Sequence, residues 1–348
     1  MKQLDYIVVG LGIAGISFCE QLRLAGKSFV AVDDDGPTAT SVAAGTINPV
    51  VLKHFTPVWQ GALFLEAAHK FYKGLESHLS LKLINDRNMA RVMASEAEGT
   101  TWVKAAGKEA LKAFLEPQIQ DYAGTAMDVP YGMGTVLQSF RLDPAALRSG
   151  YLDWLEKEDA LLKEAFDYSK LEKIDGKWTY GDLQANKLVF AEGVGATNNP
   201  HFTIDTLILK KGAYMIVEAP ELKLDRPLKA RFFVIPLGED RYKVGATFVH
   251  GDHSYQPTEQ SRKQVSEALD KLLKVPYRIV DHVVGMRPTV KDRRPLLGSL
   301  GETDLYFYNG LGTRGLLMAP TLSKWIFDHI ENGTPIPEEA DINRYALP

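Results

Sequence analysis

Leu4-Asp5-Tyr6-Ile7-Val8-Val9-Gly10-Leu11-Gly12-Ile13-Ala14-Gly15-Ile16, followed by Cys19, Leu22, Gly26 and then Ser28-Phe29-Val30-Ala31-Val32-Asp33, decides the fold. Leu4 to Val9 is an apolar run of strand length, whereas Ile13, Ile16, Cys19 and Leu22 recur at helical spacing until Gly26 ends the helix. Ser28 to Val32 is a second β-rich run. A strand, helix and strand within 33 residues imply a parallel, right-handed crossover. Of the three glycines at the first junction, Gly10 turns the chain, Gly12 admits a pyrophosphate close to the backbone, and Gly15 lets the helix pack on the strand. The helix start at Ile13 and Ala14 offers amide donors and positive potential to phosphate. Asp33 closes the second strand where a carboxylate accepts both ribose hydroxyls and disfavours a 2′-phosphate, with Asp34 beside it. A dinucleotide site follows, with FAD and NAD both open at this point.

Working outward, a small-residue loop from Thr38 to Gly45, with Thr40, Ser41, Ala43, Ala44 and Gly45, lets a backbone lie against a ligand. The run 310–315 holds Gly312, Thr313, Arg314 and Gly315 ahead of Leu316 and opens a helix, so its amides can stabilise charge on a reduced flavin. Both features favour FAD. A helical pattern runs from about Val58 to Leu79 on a stripe of Phe64, Ala68, Phe71 and Leu75. Asp143-Pro144 reads as an N-cap with proline in the first turn. Lys187 to Ala191 is a buried strand ending in Glu192-Gly193. Tyr214–Val217, Phe232–Ile235 and Tyr242–Thr247 suggest an antiparallel sheet, with Gly238-Glu239-Asp240 as a turn, and a helix follows from about Thr258 to Leu273. The expected architecture is α/β: a discontinuous Rossmann-type FAD domain of residues 1–46, 143–199 and 285–348, and a mainly antiparallel substrate domain of 47–142 and 200–284.

The chain resembles the D-amino-acid-oxidase-like superfamily of FAD-dependent amine oxidoreductases, the group of glycine oxidase, sarcosine oxidase and D-amino-acid dehydrogenase. The resemblance rests on the N-terminal fingerprint, Ala43-Ala44-Gly45, Asp143-Pro144, Lys211-Gly212, Val244-Gly245-Ala246-Thr247, Gly285-Met286-Arg287-Pro288 and the closing glycine turn. The stretch Gly310 to Leu316 with Ala319-Pro320 resembles the flavin domain of the bifunctional tRNA 5-methylaminomethyl-2-thiouridine biosynthesis protein. Glu192 departs from the small or neutral residue usual before the middle-strand glycine. The resemblance implies oxidation of a C–N bond in a small amine or amino acid by hydride transfer to flavin, with O2 or another molecule as electron acceptor. It also implies that Arg287 binds a substrate carboxylate through a bidentate fork, that Arg314 holds a second substrate oxygen, and that Tyr242 faces the substrate. No cysteine stands where sarcosine oxidases attach flavin, so non-covalent FAD is expected. Two other functions stay open: flavin-dependent oxidation of a carboxymethylaminomethyl group on tRNA, and a non-catalytic FAD-binding protein.

Forty Lys plus Arg against 44 Asp plus Glu give a net charge of -4, which provides no global field for DNA or RNA. The single cysteine, Cys19, excludes an internal disulfide, a CxxC pair and an iron–sulfur site, and suits a reducing cytoplasm. The apolar stretch from Tyr6 to Ile16 is too short to span a bilayer and is expected to be part of the fold. His250 and His253 flank Asp252 without a third ligand, so they are expected to be solvated and no metal is expected. Lys210-Lys211 and Arg293-Arg294 read most simply as solvated basic pairs, though an RNA-facing rim would use the same charges.

Overall fold

The computed structural model describes residues 1–202, 206–249, 251–301 and 303–345. Its first sheet is built on the opening crossover. Lys2–Val9 pairs in parallel with Phe29–Val32 through the helix Ile13–Leu24, as the glycine loop predicts. Leu183–Phe190 flanks it in parallel, and Leu305–Asn309 then joins that strand in parallel at Leu188–Phe190. Tyr6, Ile7 and Val8 are fully buried because both faces are covered: Tyr6 and Val8 pack with the helices, and Ile7 packs with Tyr180, Phe202 and Val290.

The last helix, Gly315–Asn332, packs against the first helix and against Gly61–Leu79. Pro320 lies inside it and has no N–H for the carbonyl of Leu316, four residues back. That carbonyl instead accepts the hydroxyl of the buried Tyr72 at 2.7 Å. The Ala319 carbonyl takes the hydroxyl of Tyr308 at 2.8 Å. Two buried tyrosines thus brace the segment that carries the closing glycine turn.

The second sheet runs in the order Arg278–Val290, Leu207–Glu218, Arg241–Gly245, Phe233–Gly238, Leu228–Lys229, Met89–Val92, Met133–Val136. All neighbours are antiparallel except Leu228–Lys229 against Met89–Val92. Glu239 and Asp240, both with positive φ, turn the hairpin where Gly238-Glu239-Asp240 is expected. One face of this sheet is apolar: Met215, Val244, Val234, Leu228 and Ala90 lie in register and pack with Val265 and Leu269 of the helix Glu259–Leu272. The other face looks toward the first sheet's glycine loop across a cavity. We propose that the chain divides into these two domains, with the strand Arg278–Val290 running without a break through the boundary at position 285.

Four expectations are corrected. The loop after Thr38 contains one turn of helix, Ala39–Val42, capped reciprocally by Thr38 and Ser41. The third helix starts at Gly61, because Gln60 holds a left-handed backbone at φ 52°, and it is Tyr72 that is fully buried while Phe71 is only partly so. Lys211 is not solvated: it is 1% exposed, donates to Asp252 at 2.6 Å, Ser254 Oγ at 3.0 Å and the Gln256 carbonyl at 2.6 Å, and so pins the loop it faces. Arg294 lies over the Trp59 ring at 4.6 Å, so it too is more than a solvated charge. His253 is exposed, as expected, and His250 lies outside the described residues. Among the described residues no three His, Cys, Asp or Glu are grouped to hold a metal, and no helix is long and apolar enough to cross a membrane.

Candidate active site

Between the two sheets lies a continuous cavity of about 1260 Å³, beyond the roughly 300–1,000 Å³ of ordinary small-molecule pockets. One end is the glycine loop. Gly10 takes φ 91°, and a Cβ at Gly15 would land on the Gly10 carbonyl oxygen, so both positions demand glycine. Gly10, Gly12, Ile13 and Ala14 line the cavity, while Gly15 contributes through helix packing alone. Thr40 Oγ1 accepts the Ile13 amide at 2.8 Å and ties the small-residue segment to the helix start.

Asp33 sits where the sequence places it, but its acceptor positions are mostly taken. Oδ1 accepts Arg148 Nη2 at 2.7 Å and the Asp35 amide at 2.8 Å, and Oδ2 accepts the Leu11 amide at 2.6 Å. A carboxylate offers about four lone-pair positions, so one remains, on Oδ2, for a ribose hydroxyl where two were expected. Arg148, which no motif marks, also donates to Asp35 at 2.6 Å. Asp34, Thr40, Ala43, Ala44, Gly45, Glu192 and Gly193 all line the cavity. Ser41 does not, because its hydroxyl caps the short helix. Burial pushes the Glu192 carboxyl up, and it is held by Tyr168 and by Asn199 Nδ2 at 2.8 Å.

The middle of the cavity is walled by Gly285, Gly312, Thr313, Arg314, Gly315 and Leu316. Arg314 donates to the carbonyls of Asn48 at 3.3 Å and Val50 at 3.4 Å, and burial with the nearby Arg293 lowers it to about 10. Tyr242 is a correction: it is 3% exposed and packs in the apolar face of the second sheet, outside the cavity lining. Strand alternation sends its neighbours Lys243 and Gly245 to the other face. The tyrosine of this sheet that lines the cavity is Tyr214, in register with Gly245. Lys243 reaches the carbonyls of Val42 at 3.3 Å and Ala43 at 3.4 Å, so it secures the small-residue segment.

Arg287 stands on the cavity side of the edge strand, where the sequence predicts it. Its Nη2 donates to Tyr214 Oη at 3.3 Å. Its Nη1 is buried and has no hydrogen-bond partner among the described residues. The guanidinium crosses Gly212 so closely that a Cβ there would lie 2.7 Å from Cζ, which explains the glycine of Lys211-Gly212.

The family model described as "DAO: FAD dependent oxidoreductase" matches residues 5–329. The chain belongs to this family of FAD-dependent oxidoreductases. It is 24% identical to a glycine oxidase of Bacillus licheniformis over 97% of this chain and 95% of that one. It is 23% identical to the tRNA 5-methylaminomethyl-2-thiouridine biosynthesis bifunctional protein MnmC of Burkholderia pseudomallei (strain 1106a), over 97% of this chain but only 57% of that protein's length. Its fold is similar to the crystal structure of a glycine oxidase from Bacillus cereus ATCC 14579, with a TM-score of 0.82 and 16% identity over 97% of this chain and 99% of that one. It is also similar to that of an iminodiacetate oxidase from Chelativorans sp. BNC1, at 0.77 and 19% over 98% of each. The glycine loop, the open Oδ2 position of Asp33 and the small-residue wall fit the FAD that the family uses.

Proposed function

We propose that this protein oxidises the C–N bond of a small, carboxylate-bearing amine, using non-covalently bound FAD. The observation that carries this reading is the buried, unpartnered Nη1 of Arg287 beside the cavity. Leaving a charged, buried donor unpaired costs more than a typical hydrogen bond returns. A carboxylate offers the planar, bidentate acceptor that a guanidinium fork matches. Tyr214 fixes one side of that fork, and Gly212 leaves it room to lie flat.

Bound FAD supplies the acceptor for the hydride. This chain's work is orientation. Arg287 and Tyr214 hold the carboxylate end, and Arg314 closes the wall on the side of the glycine turn. No carboxylate or histidine among the described residues lines the cavity near Arg287, since its lining acids are Asp33, Asp34, Glu98, Glu164 and Glu192. If the substrate amine binds neutral no external base is needed, and catalysis rests on positioning and on excluding water. Non-covalent attachment is supported by Cys19, which is fully buried and outside the lining, and by the absence of His from the described lining residues. An anaerobic screen of amino acids and N-alkylglycines should bleach the flavin absorbance with at least one of them. A flavin that no carboxylate-bearing amine reduces would overturn this reading.

A further inference from the structure

The cavity-facing side of the second sheet carries one unbroken cross-strand row. Val283, Tyr214, Gly245, Phe233, Lys229 and Arg91 are direct register partners on successive strands. Arg287 lies four residues along the edge strand from Val283, at the same end as Tyr214. At roughly 4.8 Å between strands, Lys229 is three strand spacings, about 14 Å, from Tyr214. The far end is cationic: Arg91, Lys229, Arg231 and Lys53 line it, and Glu98 is the carboxylate that shares it. Arg91 pairs with Glu98 at 2.5 Å and donates to the carbonyls of Val92 at 2.5 Å and Lys229 at 3.2 Å, so it serves as scaffold. Lys229 spends one N–H on the Arg231 carbonyl at 2.7 Å and lies 4.9 Å over the Phe233 ring, leaving two donors. Arg231 is exposed beside the Phe232 ring. Burial and the charge of Arg91 lower Lys229 to about 8.

We propose that Lys229 and Arg231 form a second anion subsite, so that the substrate is an elongated amine with a carboxylate at the Arg287 end and a second acidic group at the other. This rests on the reading of Arg287 above and adds the substrate's far end. A pocket built only for a short amino acid needs no cations three strands away. Net positive charge in a partly desolvated cleft favours a ligand that neutralises it.

The test is titration of the FAD-loaded protein, followed by the flavin difference spectrum, with unreactive straight-chain monocarboxylates and α,ω-dicarboxylates of equal length. Dicarboxylates of some intermediate length should bind at least tenfold more tightly than their monocarboxylate counterparts. Arg231→Gln, on the surface, and Lys229→Gln should each remove most of that gain and leave monocarboxylate affinity unchanged. ω-Phosphono acids run alongside show whether the distal group is better a carboxylate or a phosphate. Equal affinity for the two series at every length, or a gain that both variants keep, would overturn the subsite alone. If neither series perturbs the flavin, the Arg287 anchor fails and the subsite fails with it. Tighter binding of a short RNA oligonucleotide than of any dicarboxylate would replace the small-molecule assignment by a polyanion.

Discussion

Asp33 spends most of its acceptor capacity inside the protein, on Arg148, Asp35 and Leu11, and keeps one position of Oδ2 for a ribose hydroxyl. Asp33→Asn removes the charge while keeping the shape, and FAD affinity should fall by about 1.5–3 kcal/mol, the range for a charge-assisted hydrogen bond. Titration of apoprotein with FAD measures this, and unchanged affinity would assign the ribose contact to Asp34. Asp33 itself is legible in the sequence as the acid at the strand end, but its partners are not, because Arg148 is 115 residues away in the chain. Arg287 is legible through the motif Gly285-Met286-Arg287-Pro288, and the fold adds the reason for the glycine opposite it, Gly212. Tyr242 is not legible in the same way. A strand tyrosine is assigned to a face by a period of two, and without the pairing register nothing in the sequence says which parity looks into the cavity. The tyrosine of this sheet that does line the cavity, Tyr214, sits on a neighbouring strand in register with Gly245.

At the level of elements, the opening crossover and the Asp143-capped helix are readable because local propensity, caps and burial all agree there. The bracing of the last helix is not, since it joins Tyr72 to a carbonyl 244 residues away. Tyr72→Phe leaves the Leu316 carbonyl buried without its donor, and should cost about 1–3 kcal/mol of stability in denaturant unfolding. The loop pinned by Lys211 carries a pH signature. The hydrogen bond from Lys211 holds Asp252 down at about 2, below its ordinary value of 3.8. A depressed carboxyl stabilises the fold above its unfolded pKa, and this contribution is lost as pH falls through about 4 toward 2. Asp252→Asn should therefore lower the melting temperature at pH 6, and by progressively less as pH falls from about 4 to 2. An equal effect throughout would mean that Asp252 acts by shape alone.

For the molecule as a whole, two sheets of different kind enclose one cavity, which the first sheet equips for a dinucleotide and which the second, on our proposal, equips for an anion. The glycine loop announces the first, whereas the second depends on a cross-strand row that emerges only once six strands are in register. Because the described lining holds no Cys or His, acid precipitation should release all the yellow colour into the supernatant; colour in the pellet would refute non-covalent binding. The most direct measurement is anaerobic stopped-flow reduction of the flavin by an amino acid and by its decarboxylated analogue, in wild type and Arg287→Lys. Lysine keeps the charge and loses the fork, so kcat/KM for the amino acid should fall by about tenfold or more, about 1.4 kcal/mol of transition-state stabilisation, with the flavin spectrum and the decarboxylated amine little affected. Equal losses for both substrates would contradict a carboxylate anchor and make Arg287 a support for the flavin or the fold.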